Sequence, residues 1–238
     1  MNLNYQIETK LKEAGADFVH FINITTLSVE ENKNYPHAVL FGINLSAEYL
    51  RDVMNTPDYV QKRVQNNSDF SDDEFYLTEL RTDELADEIS QWLINNGYKA
   101  YSHSEKNQIV TGFLDKKLKT PLPHKTIASM AGTGWIGKNN LLVTEQFGSA
   151  FCLGVVITNA PLALILRHPP QPNCKNCHIC VEVCKPKALK GRVWSLNTQR
   201  EDMLDVSKCT ACLNCLVFCP WTQNYIKQED CKRNGKDK

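Results

Sequence analysis

The chain has 238 residues, and its 27 Lys plus Arg balance 27 Asp plus Glu, so the formal net charge is zero. That balance gives no general polyanion-binding surface of the kind nucleic-acid proteins carry, and no nucleic-acid partner is expected. The opening residues MNLNYQIETKLKEAG lack an apolar stretch behind a positive flank, and the longest apolar run, Phe151 to Ile157, is too short to cross a bilayer. A secretory signal and a membrane partner are therefore not expected, and the protein reads as soluble and cytoplasmic.

Leu3, Ile7 and Leu11 recur at helical spacing, which predicts a helix over 2–14; Asp17 to Ile24 reads as a short strand. Ala38 to Ile43 is nearly continuous in apolar residues, as a strand buried on both faces would be. Ser46 is placed to cap a helix starting at Ala47, and the polar stretch 55–71 carries no assignment. A long helix is predicted over 74–96, with Leu77, Leu80, Leu85, Ile89 and Trp92 or Leu93 as its apolar stripe and Asn96-Gly97 as its stop. Tyr98 to Tyr101 follows as a strand. Thr120-Pro121 matches an N-cap with proline at the first helical position, giving a helix to about Ala131 that Gly132 ends. Leu141 to Thr144 and Ala150 to Thr158 read as strands. The alternation of helices and strands predicts an α/β domain over residues 1–166. Three prolines within 167–172 make a stiff linker, and a cysteine-rich domain with a short polar tail fills 167–238.

Eight of the ten cysteines fall in one segment, as Cys174, Cys177, Cys180 and Cys184, then Cys209, Cys212, Cys215 and Cys219. In a reducing compartment this clustering favours metal over disulfides. Both quartets read C-x2-C-x2-C-x3-C, the run in which three cysteines wrap one [4Fe–4S] cluster and the fourth ligates the other. The expected ligands are thus Cys174, Cys177, Cys180 and Cys219 for one cluster and Cys184, Cys209, Cys212 and Cys215 for the second. Zinc, the competing reading, needs two pairs per ion and has no use for the third and fourth cysteines at this spacing. One departure is Cys184-Lys185-Pro186, where the second copy reads Cys219-Pro220. The segment is too small to fold by burial alone, so the clusters can serve as staples; two of them favour electron transfer. Two oxidised clusters with their thiolates would add about four negative charges. Lys175, His178, Lys185, Lys187, Lys190 and Lys208 lie near the ligands and either offset that charge or form a solvated face. Cys152, within an apolar strand, and Cys231, in the polar tail, are given no role.

The stretch AGTGWIGKNN over 131–140 holds Gly132, Gly134 and Gly137, which permit close backbone approach to a ligand. It does not open a helix after a strand, so it is no dinucleotide fingerprint, and no nucleophile elbow is present. The order His124-Lys125, AGTGWIGKNNLLVTEQFGS, a strand and then two cysteine quartets resembles the epoxyqueuosine reductases, which are related to reductive dehalogenases. The resemblance implies a nitroreductase-like cofactor domain followed by a bacterial-ferredoxin-like two-[4Fe–4S] module. It further implies a cobalamin, reduced by the clusters to the cobalt(I) state, with flavin as the alternative cofactor. The positions matching the corrinoid-side motif are Gly132, Gly134, Trp135, Gly137, Lys138, Asn139, Phe147, Gly148 and Ser149. The family carries a proton-donor aspartate just before its counterpart of Pro121, and Leu118 stands there in this chain. The tRNA-binding repeats that follow the clusters in that family are also expected to be missing, since 18 residues follow Pro220. His124 is the substitute acid to weigh against an incidental histidine in the first turn of a helix. Lys138 either contacts the cofactor or occupies a turn.

These features predict an oxidoreductase that passes electrons through two clusters to a cofactor for reductive chemistry on an unidentified substrate. A ferredoxin or flavodoxin is the expected electron donor, with a small molecule or a protein as acceptor. The alternative is a carrier or activator that reduces a partner's corrinoid or flavin without a substrate site of its own. A redox sensor is a third reading.

Overall fold

A computed structural model describes residues 2–66, 70–112, 120, 122–164, 170–195 and 198–235. The elements in chain order are α1 (Leu3–Glu13), β1 (Phe18–Asn23), α2 (Val29–Asn32), β2 (His37–Asn44), α3 (Ala47–Asn55), α4 (Tyr59–Gln65), α5 (Glu74–Asn95), β3 (Ala100–Ser102), α6 (Glu105–Val110) and α7 (His124–Met130). Then follow β4 (Trp135–Ile136), β5 (Leu142–Val143), β6 (Phe151–Thr158), α8 (Ile179–Glu182), α9 (Arg200–Met203), α10 (Asn214–Val217) and α11 (Pro220–Gly235). They form two interleaved compact units, one of residues 1–44, 75–132 and 152–168, the other of 45–74, 133–151 and 169–238. The boundary read from the prolines, 166/167, lies outside the described residues; the divisions near 45, 75, 133 and 152 have no compositional mark.

The first unit is built on a sheet of order β1-β2-β6-β3, with β1 antiparallel to β2 and β3 antiparallel to β6. The expectation for β2 holds: Ala38, Val39, Leu40 and Phe41 are all fully buried. Val39 and Phe41 join Ile7 and Leu11 of α1, Leu85, Ile89 and Leu93 of α5 and Val156 of β6 in one core, while α7 also packs on β2. Each such side chain removed from water contributes roughly 1.5–3 kcal/mol before conformational entropy is subtracted. The α5 stripe needs correction in its first half. Leu77 and Leu80 are exposed, and Thr78 and Thr82 point inward instead. Thr82 satisfies its own hydroxyl by donating to the Glu79 carbonyl at 2.8 Å, so burying it costs little. The strand expected at 98–101 sits slightly later, at Ala100–Ser102.

The helix expected from Pro121 begins at His124, with extended Pro123 as its N-cap. Gly132, at φ 68°, ends that segment as expected. Pro121 and Leu118 lie outside the described residues, and with them the comparison of Leu118 to a proton-donor aspartate.

The second unit gathers the cysteine segments. Ser46 caps α3 as expected, its Oγ accepting from the Tyr49 amide at 3.1 Å. Tyr49, Leu50 and Val53 form the buried face of α3, which packs on α10 and α11. Helix α4, polar and unassigned in the sequence, is held by side-chain bonds. Tyr59 donates to Asp73 at 2.9 Å and Gln61 to the Thr210 hydroxyl at 2.9 Å. The strand expected at Leu141–Thr144 is present as β5, and the glycine stretch adds β4, which was not expected and pairs antiparallel with it through Trp135↔Val143 and Ile136↔Leu142.

Candidate metal centre

The two cysteine copies fold into loops followed by a single helical turn. Cys177 donates its amide to the Cys174 carbonyl at 2.8 Å, and α8 carries Cys180. Four non-glycine residues of these loops, Lys175, Lys187, Ala211 and Leu213, adopt left-handed backbone with φ between 42° and 64°. Such conformers cost on the order of 1 kcal/mol or more each and persist where surroundings dictate them. Leu189 and Leu204 form an isolated antiparallel bridge that ties the chain between the copies.

Cys174, Cys177, Cys180 and Cys219 together line a cavity of about 90 Å³, with Lys138, Asn139, Val143, Asn173, Pro220 and Trp221 as the rest of its wall. Burial first, then the neighbouring Cys219, Cys174 and Cys177 thiols, push Cys180 up to about 12. Burial and then Cys212, Cys180, Cys209 and Cys184 push Cys215 up to about 12 as well. Cys180 thus stands among Cys219, Cys174 and Cys177, and Cys215 among Cys212, Cys180, Cys209 and Cys184. Burial also raises Cys219, against hydrogen bonds to its sulfur from the Trp221 and Thr222 backbone at the start of α11. Cys184 Sγ accepts from the Ala188 amide at 3.3 Å.

An all-sulfur donor set in an apolar setting fits iron–sulfur chemistry. Trp135, Val143 and Trp221 pack around Cys219, and Ala188, Leu189 and Leu204 around Cys180 and Cys184. Buried thiols that repel one another's ionisation need bound cations to become thiolates. Among the described residues, no three His, Cys, Asp or Glu side chains converge as ligands of one ion. Four cysteines around a cavity instead suit a cluster, in which each thiolate binds a different iron.

The residues matched to a corrinoid motif lie mostly in the same unit as the cysteines, and their side chains are engaged there. Lys138, 5% exposed, donates from Nζ to the carbonyls of Lys175 at 2.8 Å and Cys177 at 3.0 Å. Asn139 donates to the Cys215 carbonyl at 3.2 Å and its Oδ1 accepts from the Leu141 amide at 3.2 Å. Trp135 packs edge-on against Trp221 with ring centres 5.2 Å apart, and Phe147 against Tyr225 at 5.7 Å. Gly134 lets β4 approach β5, since a Cβ there would overlap the Val143 carbonyl. Gly148, at φ 59°, brings its backbone against Thr222, where a Cβ would overlap the amide nitrogen. Ser149 donates its amide to the Thr222 hydroxyl at 3.1 Å. Gly137 turns the hairpin, donating to the Leu141 carbonyl at 2.9 Å. Gly132 alone of the nine falls in the first unit.

His124 is half-buried, and its Nδ1 lies 3.1 Å from the Leu153 carbonyl. Its ring centre is 5.8 Å from that of His103. Burial holds His124 below the ordinary imidazole range, against hydrogen bonds with the Leu153 and His103 backbones. Fully buried His103, which sequence reading did not single out, is held lower still from its ordinary value by burial, His124 and Lys33. Imidazoles kept neutral in this way are poor proton donors near neutral pH.

No protein-family model matches the chain. It is 30% identical over 154 residues to the epoxyqueuosine reductase of Atelocyanobacterium thalassa, covering 58% of this chain and 46% of that protein. It is 34% identical over 113 residues to the epoxyqueuosine reductase of Listeria monocytogenes, covering 42% of this chain and 29% of the relative. The chain therefore spans less than half the length of these relatives and is homologous to them over the matched part. Among solved structures, a reductive dehalogenase described as carrying out B12-dependent dehalogenation aligns at TM-score 0.66 and 21% identity, over 91% of this chain and 31% of that one. Epoxyqueuosine reductase from Bacillus subtilis aligns at TM-score 0.56 and 14% identity, over 94% of this chain and 66% of that one. The mixed α/β fold is shared with both kinds of reductase. No helix among the described residues is long and apolar enough to cross a membrane.

Proposed function

We propose that the chain is a two-[4Fe–4S] redox protein that delivers electrons to a second cofactor for a reductive reaction. The observation that carries this reading is the spatial grouping of the thiols. Cys219 lines one cavity with Cys174, Cys177 and Cys180, while Cys215 has Cys212, Cys180, Cys209 and Cys184 as neighbours. Each quartet would then recruit its fourth cysteine from the other copy, as in two-cluster ferredoxins. On this reading the cysteine segment is ferredoxin-like and the sheet unit is a nitroreductase-like cofactor domain. Bound clusters would supply single-electron relay; the chain's own residues hold the thiolates, exclude water with Trp135, Trp221 and Leu189, and brace the loops through Lys138 and Asn139.

Cobalamin is the cofactor the relatives favour, with flavin as the alternative, and a ferredoxin or flavodoxin is the donor that suits such clusters. One observation favours the second reading, an electron carrier without its own substrate. Lys138, Asn139, Phe147, Gly148 and Ser149, matched to a corrinoid-side motif, are engaged with the cysteine segments and α11. Anaerobic reconstitution with iron and sulfide, followed by cobalamin titration read by visible absorption and EPR, separates the two. Saturable cobalamin binding supports the enzyme reading; full iron loading with no cobalamin or flavin binding supports the carrier.

A further inference from the structure

Lys138 is the basic side chain of this region that the fold buries. The six basic residues that stand near the ligands in sequence, Lys175, His178, Lys185, Lys187, Lys190 and Lys208, are all exposed. Lys185 pairs with Asp58 and Lys208 with Asp205, so they form a solvated face whose field water and salt screen. Lys138 is 5% exposed and lines the cavity of Cys174, Cys177, Cys180 and Cys219. Its polar partners are the Lys175 and Cys177 carbonyls and, at 3.4 Å, the Nε2 of His178. Among the described residues no carboxylate pairs with it. A buried ammonium without a counter-ion is costly, by several kcal/mol as a rough scale. Negative charge in the adjacent cavity would offset that cost, and the cavity's donors are four thiols.

Resting on the two-cluster reading, we propose that Lys138 is the fixed counter-charge of the cluster held by Cys174, Cys177, Cys180 and Cys219 and raises that cluster's reduction potential. Adding one electron adds one negative charge beside the ammonium, and a nearby buried cation favours that reduced form. The second quartet receives Asn139, a neutral donor, at the carbonyl of its third cysteine, Cys215. An electron shared by the pair is thereby biased toward the cluster next to Lys138. Lys138 acts through the field and the loop, so it is a positioning residue.

The test is an EPR-monitored redox titration, with dithionite as reductant, of the reconstituted protein and its Lys138→Gln, Lys138→Met and Lys138→Arg variants, each assayed for iron. Gln keeps a hydrogen-bond donor without the charge, Met keeps the length alone, and Arg keeps the charge. Gln and Met should both lower one of the two midpoint potentials, by at least a tenfold loss in the reduction equilibrium, about 59 mV for one electron. The other potential should stay in place, and Arg should hold the wild-type value. Unmoved potentials at full iron content would overturn the proposal. So would a Gln variant with the wild-type potential, which would assign the effect to hydrogen bonding, or an Arg variant shifted as far as Met. Loss of one cluster from Gln and Met alike would make Lys138 a clamp for the loop and overturn tuning. A wild-type protein that fails to load two clusters contradicts the cluster reading itself, and iron analysis shows that separately.

Discussion

Asn139 donates from Nδ2 to the carbonyl oxygen of Cys215 at 3.2 Å, a bond between residues 76 apart in sequence. Its neighbour Lys138 grips the Lys175 and Cys177 carbonyls. Two adjacent side chains of the glycine-rich hairpin therefore hold the loop of the first cysteine copy and the helical turn α10 of the second. Removing Asn139 leaves a carbonyl and the Leu141 amide short of a partner. Asn139→Ala should destabilise the holo-protein by about 1–3 kcal/mol, read as a lower urea midpoint at unchanged slope, and should hasten iron loss to a chelator.

Gly148 tests the contact between the same hairpin and α11. A methyl group there meets the Thr222 amide, and the backbone sits at φ 59°. Gly148→Ala should cost about 2 kcal/mol or more, above the usual range for a surface glycine. Urea unfolding measures it, with Gly112→Ala, also at positive φ but with open space around it, as the milder control.

Ser46 anchors α3 at both ends of a short network. Its Oγ accepts from the Tyr49 amide and donates to Glu74 at 2.7 Å. Ser46→Ala should lose about 1 kcal/mol, the usual cost of an N-cap, detectable as a lower thermal midpoint.

Asp83 gives the fold a pH dependence. Burial first raises its carboxyl, opposed by the Glu105 amide and assisted by Asp87 and Glu105, to about 6 from 3.8. A folded state that binds the proton more tightly than the unfolded chain loses stability as pH rises through this window. The contribution is full below about pH 4 and gone above about pH 6. Asp83→Asn should remove that slope and stabilise the protein at pH 7 by about 1 kcal/mol, after allowance for partial solvent exposure. Urea midpoints across pH 4–8 decide it; parallel curves for both proteins would contradict the assignment.

Much of the fold was legible where local chemistry is strong. The nearly continuous apolar run at Ala38–Ile43, the Ser46 cap and the Gly132 stop each act within a few residues. The first half of α5 was not, because a threonine that bonds its own helix buries as readily as a leucine; Thr78 and Thr82 took positions assigned to Leu77 and Leu80. Helix α4 has no apolar stripe and forms through tyrosine–Asp73 and Gln61–Thr210 bonds that no periodicity announces. At the candidate site, the repeated spacing singled out eight cysteines, four of which, Cys174, Cys177, Cys180 and Cys219, line one cavity. The roles of Lys138 and Asn139 were hidden, because their partners are backbone carbonyls far along the chain and carry no residue signature. His103 was missed for a similar reason: its significance lies in burial beside His124.

The crossed grouping of the cysteines is the central claim, and iron content of two double variants tests it most directly. Cys174→Ser with Cys219→Ser removes two cysteines that line one cavity, while Cys215→Ser with Cys219→Ser removes two cysteines of one sequence copy that the crossed reading assigns to different clusters. After anaerobic reconstitution the first variant should keep about four irons per chain and the second should fall well below that, against about eight in the wild type. The reverse order, with the Cys215/Cys219 variant keeping one intact cluster and the Cys174/Cys219 variant losing both, would contradict it.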